Sequence, residues 1–165
     1  MPDRRKLRGF TLVELVFVLA ILAIVAAIAV PRFANAATRQ RVEVAAARVL
    51  HDLELAQRHA RLTSAAVTVT FTAATDSYAL NELDDLDHPG QVYTVKLGES
   101  PYEVSLHNVT FGGSTTLTFD GYGVPSSDGT LMLGAGPYRA TISFTDGVGT
   151  TEVSVSVVTA EAEAG

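Results

Sequence analysis

A Gly9-Phe10 bond with Glu14 four residues beyond it sets a peptide that can be cut beside an acid that the cut could neutralise. Hydrolysis of the Gly9–Phe10 bond would free the α-amine of Phe10, a group with a pKa near ~7.7 to 8.0 and so usually protonated at neutral pH. That amine would stand one helical turn from Glu14, the single ionisable side chain between Phe10 and Pro31. A carboxylate inside an apolar span costs roughly 2.5 to 3.5 kcal/mol on insertion scales, so the cut would create the charge that offsets it. Within one helix the amine points along the axis while Glu14 points sideways. A neighbouring chain shifted by about a turn would present its amine better, making the acid a register device between subunits.

The element that must carry these groups is the apolar run from Phe10 to Val30, about the 20 residues that cross a bilayer. Arg4, Arg5, Lys6 and Arg8 precede it and would hold the N-terminus in the cytoplasm. Two plainer readings compete. Ala34-Asn35-Ala36 imitates a signal-peptidase site, but the run is longer than the 7 to 15 residues of a secretory h-region and Glu14 lies inside it. An uncut anchor is the other, and it leaves Glu14 without a role.

The segment Gly9-Phe10-Thr11-Leu12-Val13-Glu14 resembles the class III signal of type IV pilins and type II secretion pseudopilins. The resemblance implies cleavage by prepilin peptidase after Gly9, methylation of the new N-terminus at Phe10, and an assembly role for Glu14. The expected organisation is a leader at 1–9, a transmembrane and assembly helix at 10–31, an amphipathic helix at 32–63 and a periplasmic antiparallel β domain at 64–165. The implied fold is pilin-like α+β, a long N-terminal helix packed on antiparallel sheet.

Past Pro31 the pattern turns amphipathic. Val42, Ala46, Val49, Leu53, Ala56 and Ala60 form a stripe at spacings of three and four. Arg41, Glu43, Arg48, Asp52, Glu54, Arg58 and Arg61 read as lying on other faces, with Arg48–Asp52 and Glu54–Arg58 as solvated i, i+4 pairs of about 0.2 to 0.5 kcal/mol each. Val44, Leu55 and Leu62 fall opposite the stripe, either as scattered surface apolars or facing neighbouring helices in a filament. Pro31 lacks an amide hydrogen, which predicts a kink or local unwinding over Ala27 to Pro31.

Beyond Ser64 the period becomes two, which predicts strands over 67–72, 92–97, 116–119, 138–144 and 152–157. Gly- and Asp-rich links such as Asp146-Gly147-Val148-Gly149 favour hairpins and hence antiparallel pairing in one or two sheets. Phe119-Asp120-Gly121-Tyr122-Gly123-Val124-Pro125, then Asp128-Gly129-Thr130-Leu131-Met132-Leu133, reads as strand, Gly-rich bend and strand, and resembles the C-terminal signature of the GspH and FimT branch of the family. The glycines would supply positive φ and Pro125 would fix an exposed bend.

Composition limits the chemistry. The 165 residues have 47% apolar content and no cysteine, room for one anchor and one modest domain without disulfide, thiolate metal site or cysteine nucleophile. Net charge is −6, and after Arg61 the only cations are Lys96 and Arg139. Such a surface repels phosphate backbones, so no nucleic acid is expected. His51, His59, His88 and His107 lack zinc-ligand spacing, so no metal or cofactor is expected. Asp84, Asp85 and Asp87 could hold calcium, with a solvated acidic loop as the simpler reading. Asn108-Val109-Thr110 matches a sequon by chance, and no serine lies in a nucleophile-elbow or Ser-x-x-Lys context, so no enzyme is expected.

The resulting expectation is a minor pseudopilin of type II secretion, held in the inner membrane by a single pass with its C-terminal domain in the periplasm. Its partners would be prepilin peptidase, other pseudopilins and membrane lipid. A FimT-like minor type IV pilin is the alternative within the family, disfavoured by the acids Glu161 and Glu163 near the C-terminus. From other classes come a tethered β binding domain that never polymerises, for which Glu14 is incidental, and a tethered hydrolase, for which no convergent acid–base site is visible.

Overall fold

The computed structural model describes residues 10–85, 87–144 and 156–159. Helix α1 spans Leu12–Thr63. Among the described residues eight strands follow: β1 Val67–Thr72, β2 Ser77–Asp84, β3 Val92–Lys96, β4 Ser105–Phe111, β5 Thr116–Phe119, β6 Gly129–Ala135, β7 Tyr138–Phe144 and β8 Ser156–Thr159. They form two four-stranded antiparallel sheets, ordered β3-β2-β1-β5 and β4-β6-β7-β8. Residues 1–37 and 38–165 are separate compact units.

In the second unit one core joins the helix to both sheets. The predicted stripe of Val42, Ala46, Val49, Leu53, Ala56 and Ala60 is buried throughout, with Ala45 added to it. Opposite stand Val67, Val69, Phe71, Tyr78, Leu80, Leu117 and Phe119 from the first sheet, and Leu106, Phe111, Leu131, Leu133, Ala140 and Ile142 from the second. The helix contributes mostly small alanines and valines to this core, and aromatic side chains pack between the sheets. Phe71 of β1 stacks on Phe111 of β4 at 5.5 Å and lies 5.6 Å from Tyr78 of β2. Asp76 braces the sheets a second way: its carbonyl accepts from the amides of Leu97 (2.7 Å) and Gly98 (3.1 Å), and its carboxylate accepts from the amide of Leu106 (2.7 Å).

Strands 67–72, 116–119 and 138–144 fall where alternation predicts, and β3 ends one residue short of the predicted 92–97. Strands β2 and β4 were not expected. Each contains a register shift, between Leu80 and Asp84 and between His107 and Thr110, and Asn108 takes a left-handed φ of 41°. A bulge moves the inward phase by one residue and so erases a strict period of two. Of the predicted strand 152–157, residues 152–155 lie outside the described residues, as does the link Asp146 to Gly149.

Candidate functional site

Gly9 lies outside the described residues. Phe10 is 77% exposed, and Thr11 begins α1 as its cap: the Glu14 amide donates to Thr11 Oγ1 (3.2 Å) and the Leu15 amide to the Thr11 carbonyl (3.1 Å). Thr11-Leu12-Val13-Glu14 thus has the spacing of a capping box, a signal visible in the sequence. It gives Glu14 a local role as the first-turn acid that complements the helix dipole. Leu12, Val13, Leu15, Val16, Phe17, Val18, Leu19, Ile21, Leu22, Ile24 and Val25 are all exposed. Among the described residues no ion pair reaches the Glu14 carboxylate, and no helix is long and apolar enough to cross a membrane. The apolar sequence itself runs on to Val30. Helix α1 runs through Pro31 without a break.

One expectation is corrected in the middle of α1. Asp52 is not on a solvated face: its exposure is 5%, and among the described residues it is the only charged residue that is buried. Its Oδ2 accepts from Arg48 Nε (2.9 Å), the Tyr78 hydroxyl (2.6 Å) and the Tyr93 hydroxyl (3.1 Å), and Arg48 Nη2 donates in turn to the Tyr93 oxygen. Arg48 also lies over the Tyr93 ring, 5.9 Å from its centroid. The network ties the helix to β2 and β3. Three donors offset a desolvation that would otherwise cost several kcal/mol. Burial, then the neighbouring Asp52 carboxylate, pushes the Tyr78 phenol well above its usual range. Burial and Asp52 also raise Tyr93, against the opposing Arg48 charge. Desolvation alone would lower the Arg48 guanidinium, but its hydrogen bond and attraction to Asp52 outweigh that and hold it raised. The signal was spacing: Asp52 sits three residues after Val49 and four before Ala56, on the stripe itself. By contrast Arg58–Glu54 (2.9 Å) and Arg39–Glu43 (2.8 Å) are exposed pairs of the expected kind.

The Gly-rich bend lies between β5 and β6 and is pinned to the end of α1. Asp120 Oδ1 accepts from the amides of Tyr122 (2.9 Å) and Val124 (2.8 Å), the Asp120 amide donates to the Val124 carbonyl (3.0 Å), and the Gly123 amide donates to the Asp120 carbonyl (2.8 Å). From the helix, Arg61 Nε donates to the Tyr122 carbonyl (3.0 Å) and Gln57 Nε2 to the Gly123 carbonyl (2.8 Å). The glycines serve for two reasons. Gly123 has φ +77°, while Gly121 is needed for close approach, since a Cβ there would meet the Ser64 carbonyl at 2.8 Å.

The remaining candidates stay apart. Asp85 accepts from the Asp87 amide (2.9 Å) and approaches His88 Nδ1 (3.3 Å), and the Asp87 amide bond holds its carboxyl below the usual range. Among the described residues no group of three His, Asp or Glu side chains could hold a metal, Asp84, Asp85 and Asp87 included.

Comparison with known proteins places this geometry. No curated protein matches. FimU of Pseudomonas aeruginosa strain PAO1, a type IV minor pilin, is similar in fold, with 14% identity, TM-score 0.52, and coverage of 70% of this chain and 90% of that one. EpsH, a minor pseudopilin from the type 2 secretion system of Vibrio cholerae, gives 12% identity and TM-score 0.48, covering 73% and 98%. Residues 4–30 match the prokaryotic N-terminal methylation motif. Residues 45–157, which hold the Asp52 network and the pinned bend, match the family described as Type II transport protein GspH, and the chain belongs to that family.

Proposed function

We propose that the chain is a minor pseudopilin of the type II secretion pseudopilus. The observation that carries the reading is the succession in one polypeptide of the methylation motif at 4–30 and the GspH match at 45–157. On this reading the chain waits in the inner membrane as a single-pass protein with its β domain in the periplasm. Prepilin peptidase cuts after Gly9, and Phe10 becomes the methylated N-terminus. The Phe10 amine of one subunit then pairs with Glu14 of a neighbour, and the exposed apolar surface from Leu12 to Val25 packs on other pseudopilins or on lipid. Pro31 interrupts the amide ladder of α1, so its preceding turn is the weakest of the helix and loosens on assembly. The acidic domain takes no part in nucleic-acid binding, and the chain acts as a structural subunit rather than an enzyme.

The test is intact mass and N-terminal sequencing of the membrane-extracted protein, expressed with and without a prepilin peptidase. A peptidase-dependent start at methylated Phe10 is expected. An uncut chain or a start after Ala36 overturns the reading. A minor type IV pilin is the second reading, favoured by the fold likeness to FimU. Deleting the secretion machine while keeping the pilus machine separates them, since only a pilus subunit would still enter filaments.

A further inference from the structure

We draw no further inference here: the strongest candidate, the exposed stripe of Val44, Leu55 and Leu62 along the face of α1 turned away from the core, is an apolar face for which nothing among the described residues shows what covers it.

Discussion

Glu14 and Asp52 are both single acids among apolar neighbours on α1, one in each compact unit. Asp52 is buried, and its own chain supplies an arginine and two phenols. Glu14 is exposed on an apolar surface, and among the described residues its backbone amide is satisfied by Thr11 while no ion pair reaches its carboxylate. The difference teaches how one helix serves two purposes. An acid with internal partners fixes a fold, and an acid in an apolar segment without them calls for a charge from elsewhere, which cleavage at Phe10 would supply.

The largest expected effect comes from breaking the Glu14 side of this contrast. Glu14→Leu should insert as well as or better than wild type, because a carboxylate is removed from the apolar run, yet fail to enter filaments. Membrane fractionation and filament shearing on the same cells measure both halves; normal incorporation would make the acid incidental. Next is Asp52→Ala, which strips three donors of their acceptor and leaves the Tyr78 hydroxyl buried and unpartnered. A loss of about 3 kcal/mol is expected in denaturant unfolding of the protein, with insertion unaffected. Tyr78→Phe removes one donor and should cost about 1 kcal/mol.

The same phenols set a pH dependence. Tyr78 and Tyr93 have folded pKa values raised above the unfolded value near ~10, so their contribution is complete below that pH and is lost as pH rises past it. Thermal unfolding should therefore fall off above about pH 10, and Tyr78→Phe should flatten that limb. The smallest effect belongs to the exposed pair: Glu54→Ala should change stability by no more than about 0.5 kcal/mol, which would confirm that burial, not i, i+4 spacing, separates Asp52 from its neighbours.

Much of this was legible in advance. The stripe from Val42 to Ala60 and the strands at 67–72, 116–119 and 138–144 follow from periodicity, because a regular element facing one core must repeat its apolar residues. The bend at Asp120 to Gly129 was legible as a turn, but the reasons for its glycines were only half so: positive φ holds for Gly123, while Gly121 answers to the backbone of Ser64, far away in sequence. Strands β2 and β4 were hidden by their bulges. Asp52 reads as solvated by its charge, whereas its position on the stripe carries it into the core.

Order along the chain is enough to read the Gly9-Phe10 pair ahead of an apolar run with its lone Glu14, the change of period after Ser64 and the acidic cast of the domain. These are properties of neighbours along the chain, and local spacing suffices to read them. The fold alone makes Tyr78 and Tyr93 converge on Asp52, lets Asp76 brace two sheets, and brings Gln57 and Arg61 to pin the bend below Tyr122. Each joins residues distant in sequence, and hydrogen bonds of that kind depend on where the sheets bring side chains together rather than on their order in the chain.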